Sequence, residues 1–139
     1  MLEIDKELTA DVAFRAANLR ELNRDAKRTG AGVDKRYHYI CQAYAYAWEC
    51  ANNACPRDYM RALGGDPSKH DVPAFIHAIL AATSRDKRRQ LWKYASSLKL
   101  AAMKNKGPKT VKAFIQKNGG FNACAAKYTK AQAKASAPW

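Results

Sequence analysis

Apolar residues recur along this chain at steps of three and four, and short clusters of Gly, Pro, Asn and Asp interrupt them, a pattern that predicts a succession of amphipathic helices. In the first, Leu8, Val12, Ala16, Leu19 and Leu22 or Asn23 form one stripe, while Arg15, Arg20, Glu21, Arg24 and Asp25 fall mostly on other faces. This helix is expected to start at Asp5 or Thr9 and to reach about Arg28, where Gly30-Ala31-Gly32 stops it. A second helix over 33–52 has Asp34 near its N-terminus and Tyr37, Ile40, Cys41, Tyr44, Ala47, Trp48 and Ala51 along a broad apolar face, which marks it as the central helix. Asn52-Asn53 ends it. Pro56 then opens a short third helix over 57–63, which Gly64-Gly65 closes.

Residues 66–71 read as a loop and as the best internal boundary. A fourth helix over 72–82 buries Phe75, Ile76, Ile79 and Leu80, and Ser84 or Thr83 is expected to cap a fifth over 85–104. In that fifth helix Leu91, Tyr94, Ala95, Leu98, Ala101 and Ala102 make the apolar stripe, leaving Lys87, Arg88, Arg89, Lys93, Lys99 and Lys104 to the remaining faces. Gly107 and Pro108 separate it from a sixth helix over 109–117, and Asn118-Gly119-Gly120 turns the chain into a last helix over 121–134. No internal repeat is present.

Composition agrees with this reading. Of 139 residues 47% are apolar, with only 7 Gly and 5 Pro, which favours helix over disorder or an all-β fold. The expected architecture is all-α: a single-domain bundle of about six or seven helices, in which 1–84 is a charge-balanced scaffold, 85–134 a basic trihelical segment and 135–139 a flexible tail. No apolar run approaches the roughly 18–20 residues of a membrane span, and the first residues lack a basic stretch followed by an apolar one, so a cytoplasmic protein without membrane association is expected. Cys41, Cys50, Cys55 and Cys124 have no disulfide-scaffold spacing and are read as reduced thiols.

Charge changes the picture most. Residues 1–86 carry 12 Lys and Arg against 12 Asp and Glu, whereas 87–139 carry 13 Lys and Arg and no acid, so the latter stretch supplies the whole formal charge of +13. Ordinary surfaces intersperse signs, because opposite charges four residues apart stabilise a helix and like charges repel. A one-signed stretch this concentrated points to a polyanionic partner. The residues expected to touch nucleic acid are Arg88, Arg89, Lys93, Lys99, Lys104, Lys106, Lys109, Lys112, Asn122, Lys127, Lys130 and Lys134. Helix, Gly turn and helix over 109–134 follow the local plan of a helix-turn-helix unit, in which Asn122 would read adenine and the lysines would meet phosphates. Ile115, where that motif usually has a small residue, departs from the plan. Lys outnumbers Arg, so affinity from charge is better supported than base specificity.

The second helix adds a further candidate surface. Five aromatics between Tyr37 and Trp48 cannot all face one core, and Tyr39 and Tyr46 share a side. Either they are exposed and anchor a partner, or the helix lies between two layers. No Cys-x-x-Cys pair, phosphate loop, nucleophile elbow or His-Glu-x-x-His occurs, so neither a metal nor a cofactor is implied and the chain is not read as an enzyme. The expected function is a small DNA-binding accessory or regulatory protein, DNA being favoured over RNA. Two alternatives fit the same charge: a helical subunit of a ribonucleoprotein, and a cationic inhibitor or adaptor on an acidic protein surface.

Overall fold

The computed structural model describes residues 3–28, 30 and 32–135, and these form seven helices with no strand. They are α1 (Glu3–Ala26), α2 (Val33–Ala51), α3 (Pro56–Ala62), α4 (Val72–Thr83), α5 (Arg88–Met103), α6 (Val111–Lys117) and α7 (Phe121–Ala135). The all-α bundle expected from periodicity is the observed fold. One buried apolar cluster runs from Leu19 of α1 to Cys124 of α7, so the neutral and basic segments share a core.

Local chemistry explains the element ends. The Asp71 carboxylate accepts from the Ala74 amide at 2.9 Å and caps α4, while Pro56 occupies the first turn of α3. Between α6 and α7, Gly119 and Gly120 have φ of 96° and 92°, and the Gly120 amide donates back to the Ile115 carbonyl at 2.9 Å. A side chain at Gly119 would also bring its Cβ within 2.9 Å of the Ala123 Cβ, so this turn requires glycine twice over.

Several boundaries differ from expectation. The α1 helix begins at Glu3, before Asp5 or Thr9, and ends at Ala26, two residues before Arg28. The fifth helix starts at Arg88 rather than Arg85, because neither expected cap is free for it. Thr83 is the last residue of α4, with its hydroxyl on the Ile79 carbonyl, and Ser84 bonds Asp86. The sixth helix starts at Val111 rather than Lys109, and Lys104 to Thr110 form the connection. Helix α7 extends through Ala135, which the expected tail included, and the rest of that tail, 136–139, lies outside the described residues. Ala31 of the first Gly turn does so too.

Of the two readings of Tyr39 and Tyr46, exposure to a partner is ruled out and burial between two layers holds: each is 1% exposed. Helix α2 lies between two layers. On one side the Tyr39 hydroxyl meets the Thr83 hydroxyl at 2.7 Å, and the Arg15 guanidinium sits 4.3 Å from the Tyr46 ring centre while pairing with Glu49 at 2.8 Å. On the other, Tyr37 stacks on Phe121 at 4.9 Å and the Tyr44 hydroxyl donates to the Lys106 carbonyl. An alternating aromatic helix is what such a two-sided position needs.

These buried groups predict alkaline lability. Burial pushes the Tyr39 hydroxyl up to about 12, against the opposing pull of its bond to Thr83, and burial likewise pushes the Cys50 thiol up to about 12. Both hold their protons more tightly folded than unfolded, where they titrate near 10 and 9. Their contribution is complete below the unfolded values and is lost as pH rises through the folded ones, Tyr39 alone accounting for about 2–3 kcal/mol. Thermal midpoints measured in steps should therefore hold to about pH 9 and fall between 9 and 12. Tyr39→Phe should shrink that fall; an unchanged profile contradicts the assignment.

Candidate nucleic-acid interface

Helix α5 is the key to where the cations stand. Its five consecutive residues Tyr94 to Leu98 are all buried, because α4 covers one side and α7 the other. The Ser97 hydroxyl, inside this contact, lies 2.8 and 3.0 Å from the carbonyls of Lys93 and Phe121. A helix buried all round at its middle carries charge at its ends. Arg88 and Arg89 are exposed at the start and Lys104 just past the finish, whereas Lys93 and Lys99 are half-buried.

The remaining sequence-predicted residues are exposed but fall into separate groups. Lys104, Lys106 and Lys109 lie on the connection between α5 and α6, and the Lys106 ammonium is 6.0 Å from the Phe114 ring centre. Lys112 reaches back to α2, 3.6 Å from Asp34 and 5.6 Å from the Tyr37 ring centre. Lys127 donates to the Asn118 side-chain oxygen at 3.0 Å and sits by the carbonyl end of α6, where a cation is favoured. Asn122, Lys130 and Lys134 are exposed on α7.

The helix-turn-helix geometry is not established by this packing. Helix α6 has seven residues, and α7 lies chiefly along α5, meeting α6 only near their turn. Ile115 is fully buried there, and its carbonyl accepts from the Cys124 thiol at 3.7 Å. The fit is therefore that of a bundle corner, in which a bulky Ile fills the angle between helices.

One residue of interest escaped the sequence reading. Trp92 is 49% exposed, four residues after Arg88 and three after Arg89, hence on their side of α5. Its position off the Leu91, Tyr94, Leu98 stripe was the available signal. An exposed indole beside guanidinium groups offers a stacking surface to an unpaired base.

Among the described residues no group of three or more His, Cys, Asp and Glu could hold a metal ion, and no helix is long and apolar enough to cross a membrane. The four cysteines form no disulfide. No family model, curated protein sequence or solved structure matches this chain.

Proposed function

We propose that this chain is a small, non-enzymatic nucleic-acid-binding protein, a DNA-binding accessory or regulatory protein that engages the phosphate backbone through its basic C-terminal helices. The observation that carries the reading is the acid-free stretch after Asp86, whose lysines and arginines, mostly exposed around a well-packed core, cost the fold self-repulsion that the ion pair of Lys112 with Asp34 offsets only in small part. A polyanion supplies that compensation by exchanging its condensed counterions for fixed cations. Trp92, beside Arg88 and Arg89, adds a surface on which bases stack. Cys41, Cys50 and Cys124 argue against nucleophilic chemistry at their own positions: burial pushes these thiols upward, away from the thiolate that a catalytic cysteine needs.

Electrophoretic mobility shift with duplex DNA, single-stranded DNA and RNA competitors at two salt concentrations tests this function. Replacing Lys127, Lys130 and Lys134 together by Gln should weaken binding about tenfold and by a similar factor on unrelated sequences, because phosphate contacts carry no sequence information. Asn122→Ala should cost about 1–3 kcal/mol of discrimination at one base pair if α7 reads bases. Unchanged affinity in the triple variant removes α7 from the contact surface, and absence of binding to every polynucleotide defeats the proposal.

A further inference from the structure

The zero charge sum of residues 1–86 conceals a gathering of arginines. At the end of the bundle where α1 and α4 finish and α2 and α5 begin, two clefts of about 720 and 670 Å³ adjoin, sharing Asn23 and Lys27. Their walls carry Arg20, Arg24, Lys27, Arg28, Arg36 and Arg85, and the single acid among the lining residues is Asp86. That carboxylate, 9% exposed, is already engaged by Lys27 and by the Ser84 hydroxyl. Arg24 pairs with Glu21 at 2.8 Å and Arg28 with Asp25 at 3.5 Å, but these are exposed pairs three residues apart, which hold a guanidinium weakly. The Arg20 side chain is fixed across the cleft by donating to the Ala82 carbonyl at 3.2 Å.

Two features make this more than a charged rim. Five of the six cations are Arg, the side chain whose planar fork matches phosphate oxygens in pairs, whereas 11 of the 13 cations after Asp86 are Lys. Asn23 continues the buried stripe of Val12, Ala16 and Leu19 yet is polar, 7% exposed and part of both cleft walls. An amide at that point gives the floor donors and an acceptor where the apolar core ends. A third groove shares Ala81 and Ala82 with the larger cleft and carries Lys69 and Lys99, which links the arginines to α5.

We infer that this arginine-lined cleft is a second binding site, for the phosphodiester backbone of a nucleic-acid strand that also lies on the basic end of α5. The inference rests on the nucleic-acid reading above and moves its tightest contacts from the lysines of α7 to the arginines of α1, α2 and the α4–α5 connection. The cations bind adjacent phosphates in the cleft, and Lys99 of the adjoining groove continues the basic surface along α5.

Fluorescence anisotropy of labelled oligonucleotides with the full chain tests it. Arg24→Gln, Arg36→Gln and Arg85→Gln combined, with helical circular dichroism unchanged, should weaken binding at least about tenfold and flatten the log–log salt slope by about two to three. Asn23→Asp, equal in size and opposite in charge preference, should weaken binding severalfold without removing any cation. Wild-type binding that both variants leave intact overturns this inference alone, and loss in the Lys127, Lys130 and Lys134 variant would then keep the broader reading. No polynucleotide binding by the wild type overturns both. Binding of inorganic triphosphate without any polynucleotide assigns the cleft to a small phosphorylated ligand and overturns the strand.

Discussion

Phe75→Ala is expected to destabilise the protein by about 3–5 kcal/mol, a large share of the roughly 5–15 kcal/mol that holds a domain of this size together. Phe75 is fully buried on α4, the helix that packs against α1, α2 and α5 at once. Removing the ring loses its transfer energy and leaves a cavity that three helices cannot close together, since each is held by other contacts as well. Urea denaturation followed by circular dichroism checks this as a drop in midpoint at constant slope. Phe75→Leu, which keeps most of the volume, should cost much less. A loss under 1 kcal/mol for the alanine variant would mean that α4 is not the hub of the core.

The helices were legible in sequence because each apolar stripe is interrupted by a residue with a local physical reason to stop it, such as Pro56, Gly64 or Asn118-Gly119-Gly120. The surroundings of a helix were not. Tyr39 and Tyr46 fall on the far side from Ile40 and Tyr44, and the sequence left open whether solvent or a second layer covers that side; α1 and α4 do. Helix α5 is a second case: Ser96 and Ser97 lie outside the residues that periodicity assigned to its apolar stripe, yet both are buried because small polar side chains allow α7 to approach and one hydroxyl finds carbonyls to bond. The basic segment was legible as a count and not as a surface. Lys112 and Lys127 are engaged by Asp34 and Asn118, far away or nine residues away in sequence. The arginines of α1, Arg36 and Arg85 come together only through tertiary packing, and summing charge along the chain cancels them against Glu21 and Asp25 on the same helix.

The second large expected effect is the collapse of binding with salt. Each phosphate neutralised by a fixed cation returns about 0.9 of a counterion to solution, so six to eight contacts give a log–log slope of about −5 to −7 on duplex DNA. Between 50 and 200 mM salt that slope corresponds to a loss of about 10³–10⁴ in affinity. The residues available fit this number: the exposed lysines and arginines of 87–134 exceed what is needed, while those held by Asp34 or Asn118 contribute less. Contacts through apolar surface or base hydrogen bonds would add affinity without adding slope.

The measurement that bears most directly on the account is therefore the equilibrium binding constant for an unrelated duplex oligonucleotide, taken by anisotropy at four or five salt concentrations from 50 to 200 mM. A straight log–log line with a slope of about −5 to −7 is the predicted result. A slope near zero, or no binding at the lowest salt, contradicts it.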